Sequence, residues 1–239
     1  MLVSTKAIVV SSLRYSEADL IVSCFTEADG MKSYMLRNIL KSKKGKLRTS
    51  FFQPLTQLEL VANHKNKGTL EYIKEAKIIL HYQTLHNDVF KSSLVMFLSE
   101  ILKSTIKEEE TNNQLFQFLA YSFQWLDLHE NYADFHILFL LKLSQYLGFY
   151  PDTSHMEYSY FNIQEGTFEK QFDDHFSAEG NEVEALKQFF NKDFNDLIEI
   201  KLTKNTRTAT LNLMLTYYQY HSQGFKTPRS LAVLQQLFN

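Results

Sequence analysis

The chain has 239 residues, of which 44% are hydrophobic and 22% charged, and a formal net charge of -2. That is enough apolar material for substantial cores divided between two units. A single cysteine, Cys24, excludes an internal disulfide and a cysteine-based zinc site. No apolar stretch approaches the roughly 20 residues of a membrane span, and Lys6 and Arg14 interrupt the first segment too early for a secretory leader, so we expect a soluble, non-exported protein without membrane contact.

In chain order, residues 7–13 and 19–26 are rich in Val, Ile and Leu and predict two strands; the turn Glu27-Ala28-Asp29-Gly30 leads into a third over 31–39. The polar segment 41–46 predicts a loop. Residues 52–63 (FQPLTQLELVAN) and 69–79 (TLEYIKEAKII) supply two more strands around the turn at 64–68. Five short strands in about 80 residues suit a small Greek-key barrel such as the oligonucleotide-binding (OB) fold, and other small barrels equally well. Beyond residue 80 the apolar spacing becomes helical: 81–103, 113–128 and 132–147 predict three core helices, the last stopped by Gly148 with Pro151 beyond. Residues 158–172 return to alternation around Glu165-Gly166 and predict a hairpin, within a region of about 156–172, held by Tyr158, Tyr160, Phe161, Phe168 and Phe172. Helices follow over 182–190 and 207–222, and Pro228 opens a last one through Phe238. The expected fold class is therefore α+β, an N-terminal five-stranded OB-type barrel over 1–79 and a mainly helical domain over 80–239 with an inserted hairpin.

Charge divides at the same place. Residues 1–79 hold 13 Lys/Arg against 7 Asp/Glu, a net of +6; residues 80–239 hold 12 against 20, a net of -8. Within the first part, residues 31–58 contain no acidic residue but carry Lys32, Arg37, Lys41, Lys43, Lys44, Lys46 and Arg48. A polyanion rewards such clustering by releasing condensed counterions, so local placement matters more than the total. With Arg14, these cations form a candidate DNA-binding set, opposed by the reading of a solvated basic loop. Tyr15, Phe25, Tyr34, Phe51 and Phe52 are candidate base-stacking residues for which core packing is the competing role; Tyr34, between Lys32 and Arg37, is expected to be the exposed stacker. In the acidic half, Lys142, Lys204, Arg207, Lys226 and Arg229 are candidate partner or additional DNA contacts, with capping and solvation as alternatives.

Glu108-Glu109-Glu110 and Asp173-Asp174 lack metal-ligand spacing, and no GxxxxGK[ST], GxSxG or HExxH pattern occurs, so neither catalysis nor a cofactor is expected.

The ordered segments KAIVVSSLRYSEADLIVSCFTEADG, FFQPLTQLEL, LKLSQYLGFYPD and GFKTPRSL resemble the RecO family of recombination mediators almost from end to end. The resemblance is carried most specifically by Tyr15 to Leu20 with Phe25, Thr26 and Gly30, by Gln53 to Thr56, and by Leu147 to Phe149 with Pro151 and Asp152. It implies a cytoplasmic, nucleoid-associated protein that binds single- and double-stranded DNA and anneals complementary strands. It further implies help in loading a RecA-type recombinase onto strands coated with single-strand-binding protein, together with RecR and through that protein's C-terminal tail. Many relatives carry a four-cysteine zinc site after the LGF-P segment; here that region reads PDTSHMEYSYFNIQEG, and no metal is expected at His155 or His175. A helical protein-interaction scaffold and an RNA-binding OB-fold protein are the rival readings.

Overall fold

The computed structural model describes residues 1–41, 47–65, 70–107 and 111–238. Five antiparallel strands, β1 (Leu2–Arg14), β2 (Leu20–Thr26), β3 (Gly30–Leu36), β4 (Gln57–Asn63) and β5 (Tyr72–Ile78), form one sheet in the order β3-β2-β1-β4-β5. Alternation along β2 and β3 sends Leu20, Val22 and Cys24 and then Tyr34 and Leu36 to one face, where they meet Ala7 and Val9 of β1, Leu58, Leu60 and Ala62 of β4, Ile73 and Phe52. The outer strands are stitched at a parallel bridge between Tyr34 and Glu71. Met35 N–H donates to the Glu71 carbonyl at 3.0 Å, and Glu71 N–H to the Ser33 carbonyl at 2.8 Å. This is an OB-like sheet whose edges, among the described residues, meet at one bridge without the continuous ladder of a closed barrel.

The strand ends differ from the sequence expectation for local reasons. β1 begins at Leu2 because residues 2–8 pair with β4 before 7–14 pair with β2 across a bulge near Val10. β3 stops at Leu36, since Asn38 takes a left-handed φ of 56° and starts a turn. The strand expected from residue 52 begins only at Gln57, behind a 3₁₀ turn (Thr49–Phe52) and a left-handed Leu55.

The first compact unit runs from Met1 to Asp127, because α1 (Val89–Thr105) and α2 (Asn113–Leu128) belong with the sheet. Ile8, Val10 and Phe25 are buried although they face away from the sheet core. Phe25 meets the Phe116 ring at 6.1 Å, Gln57 Nε2 donates to the Ala120 carbonyl at 3.0 Å, and Gln117 Nε2 donates to Glu27 Oε1 at 3.0 Å. The continuous apolar run at 7–10 is thus a strand covered on both faces.

The helix predicted from residue 81 starts at Val89, where Asp88 caps the Lys91 N–H at 2.8 Å. Residues ahead of it are held by Asp127 instead. Its carboxylate accepts the N–H groups of Gln83, Thr84 and Leu85 at 2.8–2.9 Å. The buried Lys91 ammonium donates to the Asp127 carbonyl at 2.8 Å, a cation placed at the C-terminal end of α2.

The second unit comprises residues 128–239. It holds α3 (Phe135–Tyr146), a small sheet of β6 (Tyr160–Asn162), β7 (Thr167–Glu169) and β8 (Ser177–Ala178) in the order β7-β6-β8, α4 (Asn181–Lys187), a 3₁₀ turn (Phe194–Glu199), α5 (Lys204–His221) and α6 (Leu231–Phe238). The predicted hairpin is β6-β7, and β8 adds a third strand. Of its five aromatic residues only Phe161 and Phe168 point inward, to Tyr217 at 5.6 Å and Phe190 at 5.8 Å. Tyr160 pairs with the exposed Phe172, and Tyr158 stacks on His155. At the turn, Gly166 has φ +72°, and a Cβ there would sit 2.6 Å from the Tyr217 hydroxyl, so both backbone and space require glycine. Among the described residues, no helix is long and apolar enough to cross a membrane.

Candidate nucleic-acid interface

The acid-free segment does not form one uniform surface. On β3 the inward face carries Lys32, Tyr34 and Leu36, and the outward face Met31, Ser33 and Met35. Two expectations are corrected by this parity. Lys32 is only 7% exposed, opposite Cys24 of β2, and Tyr34 is fully buried. The Tyr34 hydroxyl is hydrogen-bonded to His64 Nε2 at 2.8 Å, while His64 Nδ1 donates to Asp29 Oδ2 at 2.5 Å. Each ring nitrogen of His64 thus has a partner, as has the Tyr34 hydroxyl, so the polar groups of the buried pair are satisfied. Burial, reinforced by Cys24, Asp29 and Glu71, pushes the Tyr34 phenol above its ordinary pKa. Tyr34 is a core residue joining β3 to the end of β4, and its ring offers no face to a base.

The remaining described cations of this set are exposed. Arg14 closes β1, its Nε donating to the Ser16 carbonyl at 3.1 Å. The chain beyond β3 folds back on the β1–β2 connection, with Leu40 N–H donating to the Ala18 carbonyl at 3.0 Å and Asn38 N–H to Asp19 Oδ1 at 2.7 Å. That return brings Lys41 to Glu17 Oε2 at 3.4 Å, close to Arg14, whose Nη2 lies 3.5 Å from the Glu17 carbonyl. Arg48 is exposed just before the 3₁₀ turn, where its carbonyl accepts the Phe51 N–H. Lys43, Lys44 and Lys46 lie outside the described residues.

Arg37 sits past the end of β3, not on it, and reaches across the seam to β5. Its Nη2 donates to the Tyr72 hydroxyl at 3.3 Å, and its guanidinium carbon is 5.8 Å from the centre of the Tyr72 ring. Lys65 Nζ lies 5.9 Å from the same centre. Tyr72 and Lys65 escaped the sequence reading because one falls in an alternating strand and the other in a turn; two lysines in the turn at 64–68, close in sequence to a tyrosine of a basic region, were the available signal.

In the second unit the candidates separate sharply. Arg207 Nε donates to Asp134 Oδ1 at 2.6 Å, with the two side chains 13% and 6% exposed, which corrects its assignment to a surface contact. Burial raises the Asp134 pKa even though Arg207 opposes that shift. Lys142 pairs with Asp193 at 2.8 Å. Lys204, Lys226 and Arg229 are exposed. His155 pairs with Glu157, and His175 lies beside Phe176 on a separate turn; among the described residues no three potential metal-binding side chains converge.

Comparison with known sequences gives one consistent result. A family model described as recombination protein O, N terminal, matches residues 1–82, and one described as recombination protein O, C terminal, matches 86–231. The chain is 48% identical over 238 residues to a DNA repair protein RecO from Christiangramia forsetii, 44% identical over 239 residues to one from Flavobacterium psychrophilum, and 43% identical over 239 residues to one from Flavobacterium johnsoniae, with 100% of both chains covered each time.

Proposed function

Because the chain belongs to the RecO family of DNA repair and recombination proteins, a family of non-enzymatic mediators, we propose that its N-terminal 79 residues bind single- and double-stranded DNA through the exposed cations of the OB-like sheet and its loops. The observation that carries this reading is the exposure of Arg37, Lys41 and Arg48 along the segment from 31 to 58 that is empty of acidic side chains, with the exposed Arg14 close to Lys41. The chemistry is positioning: fixed cations neutralise phosphates and hold a strand, and no bond is made or broken. Holding two strands in this way lets complementary bases meet, which is strand annealing. Lys43, Lys44 and Lys46 extend the same grip.

The helical region from residue 80 serves protein partners: RecR, and the acidic, hydrophobic C-terminal tail of single-strand-binding protein, whose acidic groups the exposed Lys204, Lys226 and Arg229 are suited to meet. The outcome is delivery of a RecA-type recombinase to coated single strands in the cytoplasm.

The test is annealing of complementary oligonucleotides, bare and coated with single-strand-binding protein, without nucleotide. Annealing on both substrates is expected, and Lys43→Glu/Lys44→Glu is expected to slow it. No annealing on either substrate, with binding only to the tail peptide, would replace this reading by that of a protein-docking scaffold.

A further inference from the structure

The seam between β3 and β5 carries an arrangement that the basic segment alone does not explain. Glu71 is 2% exposed and its neighbour Tyr72 is 38% exposed, so strand alternation turns the tyrosine outward where the backbone is most firmly tied. Glu71 exchanges backbone hydrogen bonds with Ser33 and Met35, and its Oε1 accepts the Lys65 N–H at 2.8 Å. Tyr72 therefore stands on a fixed base, so that ordering it on binding costs little. Arg37 and Lys65 come from different ends of the sheet to one ring, at 5.8 and 5.9 Å from its centre, near the outer limit of cation–π attraction. Neither is paired with a described carboxylate. Each cation can therefore meet an anion that lies beside the ring.

We propose that Arg37, Tyr72 and Lys65 form a nucleotide-holding clamp for single-stranded DNA, in which the two cations take a backbone phosphate and the Tyr72 ring stacks on an unpaired base. The inference rests on the DNA-binding reading above and assigns to Tyr72 the stacking role that Tyr34 cannot fill. Duplex DNA buries its base faces in its own stack, so the clamp favours single strands.

Binding by the full-length protein is measured by fluorescence anisotropy with an oligothymidylate, a strand of the same length built of abasic units, and a duplex. Tyr72→Ala is expected to weaken oligothymidylate binding by about fivefold to a hundredfold at an unchanged salt slope. It should leave binding to the abasic strand and the duplex unchanged. Tyr72→Phe should bind as the wild type does, whereas Arg37→Ala/Lys65→Ala, which leaves one phosphate without its cations, should reduce the magnitude of the log-log salt slope by about 0.7. Should Tyr72→Ala fail to fold, Tyr72→Leu, which keeps bulk without a flat ring, should show the same loss. Wild-type affinity in Tyr72→Ala and Tyr72→Leu, or an equal loss on the abasic strand, overturns the clamp while leaving DNA binding intact. A wild-type protein that binds none of the three strands at low salt overturns both readings.

Discussion

The cations of the first 79 residues and those of the helical unit differ less in number than in what faces them. In the helical unit Arg207, Lys142, Lys187 and Lys192 meet Asp134, Asp193, Glu184 and Glu199 at 2.6–2.8 Å. In the N-terminal sheet Arg37 and Arg48 meet no described carboxylate, and Lys41 meets Glu17 only at 3.4 Å with both side chains mostly in water, an arrangement that contributes little. Thirteen basic residues in 1–79 against twelve in 80–239 would not distinguish the two parts of the chain; the distribution of acids, seven against twenty, does. A lysine already neutralised by its own fold releases few counterions from a bound strand.

The sharpest way to break this comparison is to cut the buried pair. Arg207→Ala leaves Asp134 in a site built for a cation and should cost about 3–5 kcal/mol in urea unfolding, while the DNA affinity of the folded fraction stays at the wild-type value. A loss of affinity instead would place Arg207 on the binding surface. Next in size is Asp127→Ala, which strips three backbone N–H groups of their acceptor and should cost about 2–3 kcal/mol. Burial opposes ionisation of Asp127, but the N–H groups of Gln83, Thr84 and Leu85 and the Thr84 hydroxyl outweigh it and hold its pKa below the usual 3.8. Its contribution is therefore present above the ordinary carboxylate range and disappears as pH falls through the lowered value.

His136 supplies a pH prediction for the helical unit. It is fully buried, and burial together with Arg207 lowers its pKa from 6.5 to about 3. Between those values the unfolded chain binds a proton that the native chain does not, so stability falls as pH falls, by about 1.4 kcal/mol per unit and about 2 kcal/mol by pH 5. His136→Gln should flatten that part of the curve, as read by thermal or urea unfolding; an unchanged slope would show that another group is responsible. The smallest effect belongs to Lys142→Ala. Its partner Asp193 is 82% exposed, so stability should change by less than about 1 kcal/mol and DNA affinity not at all.

Much of this architecture was legible in the chain, and the misreadings share a physical origin. Strand number, the helical second half and the β6-β7 hairpin follow from period-2 and period-3.6 spacing, which survive in any environment. The segment GMKSYML was legible as a strand but not as to which side faces inward, since Met31 and Met35 lie on one face and Tyr34 and Leu36 on the other. Charge argued for turning Lys32 outward. The structure turns it inward because Tyr34 finds His64, thirty residues away, and a long-range hydrogen bond leaves no local trace. Residues 81–88 failed for the same reason: their apolar spacing continues the helix, while Asp127 ties their N–H groups from more than forty residues downstream. β8, two residues long, is too short to carry a period. Arg207 shows the converse, a cation whose surroundings and not its type decide its role.

The most direct measurement is the salt dependence of single-stranded DNA binding for the wild type and for Arg14→Ala/Arg37→Ala/Arg48→Ala, with Lys204→Ala/Lys226→Ala/Arg229→Ala alongside. If exposed N-terminal cations provide the grip, the first triple variant reduces the magnitude of the log-log slope by about 2, at about 0.7 for each phosphate left without its cation, and the second keeps the wild-type slope. A wild-type slope in the first variant, with the reduction appearing in the second, would contradict the account.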